Sequence, residues 1–180
     1  MANICEFSML VRGRHKDIQS FYDAMRQKGN IYMGRGADVT LEFEDNDTAR
    51  IDGWCKWSVA SALISNAISM RQKPNTWSFA DGVNVANLQF ITLDEACKKW
   101  NLTVEVYSQE TGCCFQEHIL VDKGSIVIDD CVDYNEYCID EYKTKEEAET
   151  RIGVKITDEE WNSGNTYICR GGFESWDFEI

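Results

Sequence analysis

Apolar and polar residues alternate from residue 3 to residue 12, with Cys5, Phe7, Met9 and Val11 on one side, the period-two pattern of a half-buried strand. Gly13 closes the segment. Ile18, Phe21, Tyr22 and Met25 then recur at helical spacing, and Gly29 is the expected stop. After a loop around Gly34 and Gly36, alternation returns at Val39, Leu41 and Phe43. The polar stretch Glu44 to Thr48 leads into an extended segment over 49–57, so the pair reads as a hairpin. Short or apolar residues from Ser58 to Met70, among them Val59, Ala62, Leu63, Ala67 and Ile68, predict a well-buried helix. Residues 71–91 hold the only proline, Pro74, with Asn75, Asp81, Gly82, Asn84 and Asn87, and are expected to form a long excursion.

Thr92 followed by Glu95 is a capping box ahead of Ala96, Cys97 and Trp100, and it announces a helix. Leu102, Val104 and Val106 alternate as the next strand. Gly112 marks a turn, and residues 115–121 and 125–131 bracket the turn from Asp122 to Gly124 as a second hairpin. Thr144 with Glu147 and Thr157 with Glu160 are two further capping boxes, each opening a short helix, and a last strand is expected over 166–170. The order strand, helix, strand, strand, helix, strand is that of an α+β, ferredoxin-like βαββαβ sheet with helices on one face. To this core, residues 1–132 with the added hairpin, residues 133–180 are expected to attach as an acidic C-terminal extension.

Charge sharpens the division. Up to residue 100 there are 12 Lys and Arg against 12 Asp and Glu; beyond it, 6 against 19, so the formal charge of −13 belongs to the last 80 residues. The densest stretch carries Asp129, Asp130, Asp133, Glu136, Asp140, Glu141, Glu146, Glu147 and Glu149 against Lys143 and Lys145. Such a field repels phosphate backbones and attracts basic surfaces, which disfavours phosphate-led DNA or RNA binding and favours a cationic protein partner. Tyr134, Tyr137 and Tyr142 are interleaved with these carboxylates, a mixture that suits an interaction surface.

Other chemistry finds less support. Eight cysteines with no export-type opening segment are read as reduced thiols of a cytoplasmic protein. No apolar run approaches the roughly 18 residues of a membrane span. Cys113, Cys114, His118, Cys131 and Cys138 offer zinc-type donors without a CxxC pair, so no metal or other cofactor is expected. Cys113 or Cys114 with His118 is the minimal nucleophile-and-base set, and a small cysteine/histidine-dependent enzyme is the alternative it leaves open. Gly34-Arg35-Gly36 lacks the third glycine of a phosphate loop. Arg170-Gly171-Gly172-Phe173 shares only composition with RNA-binding segments.

The opening Met1-Ala2-Asn3-Ile4-Cys5 running to Gly13, the pair Trp54-Cys55-Lys56-Trp57 ahead of small residues, and Leu102 through Gly112 to Phe115 resemble the YubB-type ferredoxin-like family of phage, plasmid and bacterial proteins. The resemblance spans about residues 1–130, without that family's Trp-Ser-Pro-Pro stretch near Ile91 to Asp94. It implies a ferredoxin-like fold and a mobile-element origin, and no catalytic residues. With the charge pattern, the expectation is a non-enzymatic binding protein that inhibits a nucleic-acid-handling defence protein, such as a CRISPR effector, in the manner of an anti-CRISPR protein. The nine carboxylates are its expected contacts, and an uncharacterised housekeeping module of a mobile element is the further alternative.

Overall fold

The computed structural model describes residues 4–33, 38–65, 88–178 and 180. Its centre is β1 (Ile4–Arg12), whose side chains alternate between a buried and a polar face. β1 is flanked by β4 (Thr48–Lys56) and β6 (Thr103–Glu110), both antiparallel to it. β3 (Asp38–Phe43) pairs with β4, and β7 (Phe115–Asp122) with β6. β8 (Ser125–Cys138) follows β7, and β9 (Tyr167–Gly171) pairs with the far end of β8. The sheet order is β3-β4-β1-β6-β7-β8-β9, every pairing antiparallel. The chain is therefore a mixed α and β protein dominated by one antiparallel sheet.

One face of this sheet is the core. Met9, Val11, Ile51, Val104, Ile119 and Val121 project from it and are fully or almost fully buried. They meet Ile18, Phe21 and Met25 of α1 (His15–Met25) and Leu93, Ala96 and Cys97 of α2 (Leu93–Trp100). Phe21 and Trp100 join the two helices edge to face at 6.4 Å. The capping box at Thr92 and Glu95 forms in full. Asn101 then takes a left-handed conformation at φ 53° and returns the chain to β6.

The alternating segments and the threonine-capped helices lie close to where the pattern puts them; the stretch from Ser58 and a pair of short strands differ. α1 ends at Met25, ahead of Gly29. Within the helix expected from Ser58, a π-helical segment spans Ala60–Ser65, and positions 66–70 lie outside the described residues. Its start is held by the buried Glu117 carboxylate, which accepts from Val59 N at 2.7 Å and Ala60 N at 3.3 Å while Ser108 Oγ donates at 2.6 Å. The Gly34 to Gly36 loop and residues 71–87 of the expected excursion are likewise outside the described residues. The end of that excursion is a strand, β5 (Gln89–Ile91), parallel to β2 (Ile31–Met33). Three-residue strands carry too little periodicity to be read from sequence.

A second, smaller apolar cluster lies beyond the sheet. Ile139, Ala148, Ile156 and Ile168 are buried together, with Tyr137, Tyr142, Ile152 and Trp161 packed on them. It is enclosed by α3 (Lys145–Ile152), α4 (Asp158–Asn162) and β9, and both helices start at the predicted threonines. Thr157 and Glu160 complete a reciprocal box. At Thr144, Glu147 Oε2 instead accepts from Lys143 N at 3.3 Å. Past β9 the chain crosses the other face of the main sheet, where Phe173, Trp176 and Phe178 surround Tyr107 at centroid distances of 5.8, 5.9 and 5.3 Å.

Ile51 is fully buried on the strand next to β1. Replacing it by Ala is expected to cost about 3 kcal/mol through lost burial and the cavity left behind. Urea unfolding with an unchanged m-value checks this, and a cost below about 1 kcal/mol would show the core able to collapse around the gap.

Candidate functional site

The strand β8 decides where the first four candidate carboxylates go. Alternation along a strand sends successive side chains to opposite faces. Asp129 and Asp133 therefore share the helix-bearing face with Cys131, the cross-strand partner of Glu117. Asp130, cross-strand partner of His118, and Glu136 point to the opposite face. Asp129, Asp130 and Asp133 are exposed and Glu136 is half-buried. The four do not form one patch; they line both sides of a single strand.

That strand has one neighbour on each part of its length, on opposite sides. β7 pairs with residues 125–133, and β9 pairs with residues 134–138. In an antiparallel ladder the N–H and C=O of one residue point the same way and the next residue's point the other way. Tyr134 N donates to Cys114 O on the β7 side and Ile139 N donates to Thr166 O on the β9 side. Even-numbered residues of β8 from Ile128 onward thus face β7, and odd-numbered ones face outward. Below Tyr134 the outward side carries the peptide groups of Asp129, Cys131 and Asp133, and no strand pairs there among the described residues.

Two glycines explain why β9 stops. Gly171 and Gly172 have φ of 87° and 78°, a left-handed conformation that costs other residues strain. They turn the chain off the edge and onto the sheet face, where Phe173 N donates to Gln116 Oε1 at 2.7 Å. The Arg170-Gly171-Gly172-Phe173 run is therefore a corner.

The other five candidates surround the second cluster. Asp140 and Glu141 are exposed in the turn after β8, and the Asp140 carboxylate accepts from Cys138 Sγ at 2.9 Å. Glu146 and Glu147 stand in the first turn of α3, where the helix dipole favours negative charge. Glu149 accepts from Ile156 N at 2.9 Å and pairs with Lys155 at 3.2 Å, which holds its carboxyl below the usual range. Among the described residues it is the one candidate of the nine in an ion pair. The other cations of this half that pair do so elsewhere, as Lys145 with Asp158, Lys123 with Asp122 and Arg170 with Glu160.

The tyrosines correct the sequence-based expectation. Tyr134 is buried, its hydroxyl 3.1 Å from Gln109 Nε2, and burial followed by the nearby Glu136 pushes its pKa up to about 12. Tyr137 and Tyr142 pack on the second cluster. Tyr134 is thus withdrawn from the surface, while Tyr137 and Tyr142 are half-buried, with part of each ring packed on apolar neighbours.

His118 lies beneath the C-terminal segment rather than in an open site. Its Nε2 is 2.8 Å from Glu105 Oε1, its ring stacks on Tyr107 at 4.1 Å, and Phe173 meets it edge to face. Cys113 and Cys114 occupy the β6–β7 turn, where buried Glu110 accepts from Cys113 N. The strand rise of about 3.3 Å per residue sets Cys114, four residues away, roughly 13 Å from His118. The Cys131 thiol is pushed up, first by partial burial and then by Glu117, Asp133 and Asp129, and the Cys138 thiol by Asp140. Raised thiols hold little thiolate at neutral pH. Among the described residues no three His, Cys, Asp or Glu side chains are grouped so as to hold a metal ion, and no helix is long and apolar enough to cross a membrane.

Sequence reasoning missed the open edge and the buried acids Glu105, Glu110 and Glu117. The Gly171-Gly172 pair was the available signal for the edge; nothing in the local pattern marks the buried acids. Comparison with protein-family models, curated proteins and solved structures finds no match.

Glu160 gives the region a measurable acid response. Arg170 grips it with two hydrogen bonds of 2.7 and 2.9 Å and Thr157 N donates at 2.8 Å, which lowers its pKa to about 2. A carboxyl depressed from about 4.3 in the unfolded chain stabilises the fold above that value and ceases to as pH falls toward 2. Wild type is expected to melt above Glu160→Gln at pH 6 and to lose that advantage between about pH 5 and 2.5. A gap in melting temperature independent of pH would remove Glu160 from the account.

Proposed function

We propose that this chain is a non-enzymatic binding protein that docks its acidic C-terminal half on the basic, nucleic-acid-binding surface of a partner protein and thereby inhibits it. The carrying observation is the distribution of charge. Residues 129–149 hold nine carboxylates and two lysines. Of the nine, Glu149 is the one in an ion pair among the described residues, and Asp129, Asp130, Asp133, Asp140, Glu141, Glu146 and Glu147 are exposed. Desolvating such groups is favourable only against opposite charge, so they select a cationic surface and reject nucleic acid itself.

The separation of the candidate nucleophile from its base supports a binding role over catalysis: His118 is engaged by Glu105 under the aromatic tail, while Cys113 and Cys114 lie in the turn before β7 begins. A ferredoxin-like core made of β1, α1, β3, β4, α2 and β6 is part of the same proposal. Its support is the order β3-β4-β1-β6 with every neighbour antiparallel. The resemblance to YubB-type proteins adds a mobile-element setting, in which the inhibited partner is a defence protein such as a CRISPR effector.

The test is affinity capture from cells carrying nucleic-acid defence systems, followed by a competition assay with the partner obtained. Wild type is expected to displace nucleic acid from that partner, with an association rate falling about tenfold or more between roughly 50 and 300 mM salt. Asp129→Lys, Asp130→Lys and Asp133→Lys together should abolish the displacement. Capture and competition that tolerate both high salt and the triple reversal would end the proposal.

A further inference from the structure

We infer that the open edge of β8 is a strand-addition site: an extended cationic segment of the partner pairs with residues 127–133, in the track that β9 leaves at Gly171. This rests on the proposed function and names the form of the partner. Four observations converge on the edge. Its outward peptide groups, those of Asp129, Cys131 and Asp133, are set by the same alternation that gives Asn135, Tyr137 and Ile139 to the β9 side. β9 already occupies the continuation of this edge as an antiparallel strand, so the geometry accepts one. The edge is accessible, with Asp129, Asp130, Cys131 and Asp133 exposed and Ile126 and Val127 at 46% and 60% of full exposure. Its side chains specify the occupant: Asp129 and Asp133 project on one face and Asp130 on the other, so a strand laid alongside is met by carboxylate from above and below.

An open edge left to itself recruits any strand, including a second copy of the chain. Here two copies paired antiparallel about Asp129 or Cys131 would set aspartates against one another, directly or across the axis. Like charges opposite each other in a ladder are unfavourable and unlike charges favourable. The occupant that fits is an extended segment with lysine or arginine at alternate positions. Main-chain bonds supply its affinity and the alternate cations its specificity.

The probes are two peptides of equal charge, acetyl-Lys-Val-Lys-Val-Lys-Val-Lys-amide and the same sequence with proline for each valine, which cannot form a ladder. The valine peptide is expected to bind at least about tenfold more tightly. At saturation it should slow amide exchange at Asp129 and Cys131 at least about tenfold and leave Asp130 and Val132, whose amides face β7, unchanged. Cys131→Pro removes one outward donor without touching charge or the β7 ladder, a position where proline is tolerated in an edge strand. It should weaken the valine peptide about tenfold, with its fold checked by circular dichroism.

Equal affinity of the two peptides, or exchange at Asp129 and Cys131 unaffected at saturation, would overturn strand addition. If binding in that case still disappears on reversal of Asp129, Asp130 and Asp133, the docking of an acidic surface survives and only its strand form is lost. Self-association through this edge, seen as a concentration-dependent mass that the valine peptide does not reverse, would also overturn the inference by naming a second copy as the occupant.

Discussion

The hydrogen-bond alternation of β8 is the constraint on which the acidic half is built. One set of its peptide groups is committed to β7 along residues 125–133, and the other set is given to β9 only from Tyr134 onward. This 14-residue strand ties the large core to the small cluster of Ile139, Ala148, Ile156 and Ile168. Because it passes through position 132 without a break, the charge-rich segment starts on a strand of the main sheet. The same backbone that fixes its aspartates on two faces leaves their peptide groups on one open side.

Net charge overstates what a partner meets. Glu105, Glu110 and Glu117 count among the 19 acidic residues beyond position 100, yet all three are buried. Each serves the interior: Glu105 faces His118, Glu110 accepts from Gly112 N and Cys113 N, and Glu117 holds the start of the π-helical segment. Buried carboxylates are tolerated when hydrogen-bonded in this way. Asp158 and Glu160 are matched by Lys145 and Arg170. The outward-facing carboxylates of this half are those of β8, the turn at Asp140 and Glu141 and the first turn of α3, together with the exposed Glu159, Glu174 and Asp177.

What was legible in the sequence follows from how local its cause is. Period-two alternation in β1 and β3 and the threonine caps of α2, α3 and α4 depend on neighbours a few residues apart, and they appear close to where the pattern puts them. The parallel pair β2 and β5 joins residues as far apart as Ile31 and Gln89 through three-residue strands, beyond the reach of any periodicity. The roles of Tyr134, Tyr137 and Tyr142 were hidden because the pattern shows that carboxylates surround them but not that a second apolar cluster lies beneath. The nine candidate carboxylates could be named from sequence; the division of the four on β8 between two faces, and the open edge beside them, required the register.

The polar face of the sheet clarifies why the chain leaves β8 half covered. Tyr107, His118 and Glu105 stand there in adjacent positions, and an uncovered stacked pair of rings beside a buried carboxylate would expose apolar area and leave the carboxylate competing with water. The C-terminal segment supplies the cover: Phe173, Trp176 and Phe178 close on Tyr107, Arg50 lies over the Phe178 ring at 4.9 Å, and Ile180 N donates to Glu105 at 3.3 Å. To reach that face the chain has to abandon the β8 edge, and the left-handed pair Gly171 and Gly172 is where it does so. Covering the aromatic face and opening the acidic edge are thus two results of one turn. A chain that instead continued β9 down the edge would seal Asp129 and Cys131 in a ladder and leave Tyr107 and His118 bare.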